Sequence, residues 1–131
     1  MIGLDTNLLI RYLTRDDAEQ FAKVKRLIDK AVAQDQRLLV NTAVLCEMAW
    51  VLETAYEYSR VDIAEALERI LDTAQFEVER AQEARQALGD FRSSKAGFAD
   101  ALIGRVNRAL GATHTATFDR DLKALDTFAL L

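Results

Sequence analysis

The chain has 131 residues, half of them apolar and 29% charged, with 21 acids against 17 bases and a net charge of −4. That length predicts one domain with a core large enough to need no staples, and a single cysteine, Cys46, excludes an internal disulfide and suits a reducing cytoplasm. No apolar run reaches the ~20 residues a membrane helix needs, Met1–Asp5 lacks the basic start of a signal peptide, and the acidic balance argues against gripping nucleic acid by bulk charge.

Met1–Leu4 is a short apolar run that stops at Asp5, and it reads as a buried strand. Asn7–Leu13 predicts a helix with Leu9, Ile10 and Leu13 on one face. Asp16 or Asp17 caps a second helix running to about Ala33, where Phe21, Val24, Leu27, Ile28 and Ala31 recur at three- and four-residue spacing. Leu38–Val40 is the second strand. Asn41 or Thr42 caps a helix reaching about Tyr58, whose broad apolar stripe includes Leu45, Met48, Trp50, Val51 and Leu52. Trp50 is expected in the core or at a dimer interface. Arg60–Thr73 is another helix, Gln75–Val78 a short edge strand, and Glu79–Phe91 a further helix. Ser93–Gly97 reads as a loop. Phe98–Leu110 predicts a helix with Leu102, Ile103, Val106 and Leu110 facing inward, ended by Gly111. Thr113–Phe118, rich in β-branched residues, is a strand that contains His114. Asp119 ends it and caps a short helix, Arg120–Leu125, and Thr127–Leu130 is the last strand. Strands separated by helices require crossovers. The expected fold is therefore α/β, a three-layer α/β/α domain spanning residues 1–131, with a short, mainly parallel central sheet covered by helices.

Four acids stand out from the solvated helix faces. Asp5 follows a strand directly, and Asp119 ends one. Glu47 and Asp100 lie among apolar neighbours near the starts of helices. Each has a plain structural explanation: Asp5 and Asp119 suit helix N-caps, Asp100 suits the positive end of a helix, and Glu47 can face solvent. Taken jointly, they fall at the carboxyl edge of a parallel sheet, where ligands of open α/β folds bind. Four converging carboxylates repel one another unless a cation sits between them. An all-carboxylate set selects a hard divalent ion, Mg²⁺ or Mn²⁺. Setting these four aside leaves 17 acids against 17 bases, so an acidic isoelectric point does not exclude a polyanionic substrate.

The segments Met-Ile-Gly-Leu-Asp5-Thr-Asn-Leu-Leu-Ile, Cys-Glu47-Met-Ala-Trp-Val-Leu, Phe-Ala-Asp100-Ala-Leu-Ile and Ala-Thr-Phe-Asp119-Arg-Asp resemble the PIN domain, in particular VapC-type toxins of type II toxin–antitoxin systems. The likeness runs along the whole chain. It implies a metal-dependent endoribonuclease, a hydrolase of phosphodiester bonds in a structured RNA such as tRNA or rRNA. It also implies a cytoplasmic homodimer and a cognate antitoxin. The family's acidic quartet falls on Asp5, Glu47, Asp100 and Asp119, which are expected as both metal ligands and catalytic groups. Asn7 and Thr117 fall where the family tends to place supporting polar groups, and Asp121 is a further acid beside them.

Other readings fit less well. An Mg-dependent aspartyl-phosphate enzyme of the haloacid-dehalogenase type wants an acid two positions after the first, where this chain has Asn7. A receiver domain wants paired acids on its first strand and a late lysine after a strand, whereas Lys123 falls in a predicted helix. A non-catalytic PIN-like binding module is the rival of a different class. His114 and Cys46 are read as ordinary strand and core residues. Arg11, Arg15, Arg92, Lys95 and Arg120 lie nearest the acidic segments and are the expected phosphate contacts.

Overall fold

A computed structural model describes residues 1–131. The chain runs β1 (Ile2–Gly3), α1 (Thr6–Thr14), α2 (Ala18–Ala33), β2 (Leu38–Val40), α3 (Thr42–Thr54), α4 (Arg60–Asp72), β3 (Phe76–Val78), α5 (Ala81–Ser93), α6 (Phe98–Ala109), β4 (Thr115–Thr117) and β5 (Phe128–Leu130), with a 3₁₀ helix at Arg120–Leu122. Short polar side chains start the helices where the sequence places them. Asp5, Asp17, Asn41 and Ser59 each accept a hydrogen bond from the N–H three residues on, at Leu8, Gln20, Val44 and Asp62.

The fold is the three-layer α/β/α arrangement read from the sequence, and every strand pairing in it is parallel. The strands are shared between two sheets. One has the order β1-β2-β3, with Ile2 opposite Leu38 and Leu38 opposite Phe76. The other pairs β4 with β5, with Thr115 opposite Phe128. Asp5 thus follows a strand of one sheet and Asp119 a strand of the other, and no ladder ties β1 to β4. Leu9, Ile10, Leu38, Leu45, Leu52, Leu67 and Ile70 form the fully buried centre. Each such side chain contributes about 1.5–3 kcal/mol by leaving water.

Four local expectations are corrected. The helix begun by Asn41 ends at Thr54 rather than near Tyr58, because the chain turns through a left-handed residue, Glu57 (φ 54°). Trp50 is 63% exposed and is not a core residue. On α6 and its C-cap, Ile103 and Leu110 are 49% and 67% exposed, and the buried face is Phe98, Ala101, Leu102 and Gly104. The face is rotated because Gly104 admits β5 closely: a Cβ there would lie 2.6 Å from the Phe128 ring and 2.7 Å from Thr127 Oγ1. His114 lies just before β4 rather than within it and is exposed.

Candidate active site

The α5–α6 pair is the scaffold on which the site stands. Asp90 is buried on α5, and both its carboxylate oxygens accept from Arg105 of α6, from Nε at 2.8 Å and from Nη2 at 2.9 Å. The planar guanidinium meets the carboxylate through two parallel bonds, which fixes the rotation of one helix on the other. These hydrogen bonds, more than charge alone, raise the Arg105 pKa above its ordinary value. Arg60 at the start of α4 secures the segment between the two helices. Its guanidinium donates to the carbonyls of Phe91, Ser94 and Ala96 and lies 3.9 Å from the centre of the Phe91 ring. The last turn of α5 would otherwise leave carbonyls without donors.

Asp100 sits in the first turn of α6 and is half-buried. Gly97 offers no side-chain cap to that helix, so Asp100 is the acid at its positive end. Burial, and then repulsion by Asp119, raises the Asp100 carboxyl above the usual carboxylate range. These two acids are therefore brought together, and neither has a Lys or Arg within ion-pair distance. Asp100 also lines a pocket of about 230 Å³ against α3, with Cys46, Trp50, Glu53 and Phe98 among its walls. Burial pushes the Cys46 thiol up, which fits an unreactive packing residue.

Asp5 is exposed and its Oδ1 accepts from Leu8 N–H at 3.0 Å. Asp119 Oδ1 accepts from Asp121 N–H at 2.9 Å, and Asp119 N–H donates to Thr117 Oγ1 at 3.0 Å. Each capping acid spends one oxygen on the helix and keeps the other free. Thr117 thus steadies Asp119 by accepting a hydrogen bond from its backbone N–H. Asn7 is exposed and makes no side-chain hydrogen bond, and the group that orients Asp5 is the Leu8 N–H. Glu47 is exposed in the second turn of α3. Asp121 is exposed and belongs to a groove beside the site.

No three of the acids lie close enough together to hold a metal ion between them. The donor chemistry fits a hard divalent cation, and the mutual repulsion of Asp100 and Asp119 is what such a cation relieves. Asp5 and Glu47 hang from the other sheet and its following helix.

Residues 2–127 match the PIN domain family. The chain belongs to the PIN domain family. It is also similar to the VapC ribonuclease of Aquifex aeolicus (strain VF5), 27% identical over 122 residues that cover 93% of this chain and 90% of that protein. No solved structure matches it. Within this PIN domain, the Asp90–Arg105 bridge and the Arg60 cap were not foreseen from sequence. A charge on the apolar face of α5, beside Ala87, Leu88 and Phe91, was the signal available for Asp90.

Proposed function

We propose that this chain is a metal-dependent endoribonuclease acting as the toxin of a toxin–antitoxin pair, with a structured RNA, tRNA or rRNA, as its substrate. The observation that carries this reading is the similarity to a VapC ribonuclease along 93% of the chain. The close, unpaired Asp100 and Asp119 support it. Asp5, Glu47, Asp100 and Asp119 are the proposed ligands for Mg²⁺ or Mn²⁺. Bound there, such an ion supplies a water that ionises near neutral pH. The residues themselves hold the cation by their free carboxylate oxygens. Leu8 N–H orients Asp5, and Thr117 orients Asp119. Glu47 or Asp119 is the proposed acceptor of a proton from the attacking water.

A cognate antitoxin that inserts an arginine among these carboxylates is the proposed inhibitor, because a guanidinium pairs with them bidentately. Trp50, too exposed for a core residue, is the proposed anchor of a homodimer. The separation of the quartet also suits a PIN-like module that binds without cleaving.

The test is incubation of purified protein with total cellular RNA, with Mg²⁺, Mn²⁺ or chelator, beside Asp5→Asn and Asp100→Asn. Discrete fragments that need the ion and drop at least ~10–100-fold in each variant are expected. Full cleavage by both variants, or in chelator, refutes the assignment. RNA binding without any cleavage establishes the binding module instead.

A further inference from the structure

A phosphodiester backbone approaches a cluster of acids more readily along a cationic path close to it. Nine of the 17 Lys and Arg side chains pair with a carboxylate. Of the remaining eight, Lys95, Arg120 and Lys123 line one open groove of about 750 Å³. Arg92 adds a fourth cation, held by Glu68 at 2.7 Å, and Asp121 is the only acid in the groove. One wall is the segment that leads from α5 into α6 and Asp100. The other is the 3₁₀ helix that begins immediately after Asp119. Only one apolar residue, Ala124, faces the groove. Such a lining suits a hydrated polyanion and offers no anchor for an apolar protein surface.

The geometry points to this groove as the track that holds the sugar–phosphate backbone of single-stranded RNA beside the Asp100–Asp119 pair. Cations without a carboxylate partner inside a concavity focus positive potential there. Phosphates that displace their counterions gain entropy, and the gain weakens predictably with salt. Serine hydroxyls do little here: Ser94 Oγ already donates to the Asp90 carbonyl at 2.6 Å. The assignment of RNA as ligand rests on the ribonuclease reading above.

The test measures binding of a labelled oligo(U) by fluorescence anisotropy in chelator, so that no cleavage is needed, across a series of salt concentrations. Lys95→Ala/Lys123→Ala is compared with Arg26→Ala/Lys30→Ala, whose side chains are exposed on α2 without carboxylate partners. Both pairs are at the surface, and equal melting temperatures confirm folding. The groove variant should bind on the order of 10-fold more weakly, with a slope of log affinity against log salt reduced by about 1.4, or about 0.7 per lost contact. The α2 variant should match the unmodified chain. Unchanged affinity and slope in the groove variant overturn the track, whatever the cleavage assay shows. Loss of binding in the groove variant supports it even where the carboxylate variants still cleave, an outcome that would refute the carboxylate assignment alone.

Discussion

The Asp90–Arg105 bridge makes the sharpest stability prediction. Its side chains are 12% and 23% exposed, and its two bonds are 2.8 and 2.9 Å long. Removing one partner of a fully buried pair costs about 3–5 kcal/mol, because the other charge is left without compensation. Arg105 keeps some contact with water, so screening lowers the expected cost to about 2–3 kcal/mol. Arg105→Ala should cost more than Asp90→Ala, because it strands the less exposed partner. For a domain of this size, that loss lowers the melting temperature by about 6–15 °C. Thermal unfolding followed by circular dichroism on both single variants and the double variant measures it. The double variant should be more stable than the sum of the single losses predicts, by about 1–2 kcal/mol of coupling. Single losses below about 0.5 kcal/mol, or strict additivity, would refute the view that this bridge sets the α5–α6 rotation. Because α6 carries Asp100, a loosened pair should also weaken the RNA cleavage proposed above at temperatures well below melting.

Two helical glycines should respond in opposite directions. At Gly89 of α5 nothing lies within 4 Å of an added Cβ, so Gly89→Ala should raise stability by about 0.5–1 kcal/mol in urea unfolding. At Gly104 the same change meets Phe128 and Thr127, and overpacking of about 1–3 kcal/mol should cancel or exceed the helical gain. Thr127 Oγ1 is buried without a hydrogen-bond partner, so Thr127→Val should stabilise by about 1 kcal/mol, read as a higher urea midpoint with an unchanged slope. In acid, two carboxylates should contribute to the loss of stability. Glu79 is held below its usual range by the Thr42 backbone N–H and then its hydroxyl, and Asp16 by the Tyr56 and then the Thr14 hydroxyl. A depressed carboxyl stabilises the fold above its unfolded pKa of about 4 and ceases to do so as pH falls through its folded value. Melting temperatures recorded below about pH 4.5 should therefore fall less steeply in Thr42→Val and Tyr56→Phe. Parallel profiles for these variants and the unmodified chain would show that neither hydroxyl stabilises its carboxylate.

Element type and order were legible in the chain because they depend on short-range rules. Apolar spacing marked α2 and α4, and capping side chains at Asp17 and Asn41 marked where helices begin. The odd acids were legible for the same reason: Asp100 between Ala99 and Ala101 is out of keeping with its neighbours. What the sequence could not decide was how faces meet. The apolar positions of α6 predicted Ile103 and Leu110 inside, but the side on which α6 packs depends on Gly104 receiving Phe128 from a strand more than twenty residues later. Likewise, the pattern placed Asp5 and Asp119 at strand ends, and each is also a helix cap. Their separation follows from which strands pair, and the pairing of β1 with β2 and β4 with β5 is a long-range choice. The sequence by itself determined the local elements and the chemical character of the site, because both reside in side chains and their near neighbours. Only the tertiary structure decided that Asp119 comes near enough to Asp100 to raise its carboxyl, that Asp90 and Arg105 lock α5 to α6, and that Lys95, Arg120 and Lys123 share one groove. Each of these meetings joins residues from different elements, so no local rule can fix the distance between them.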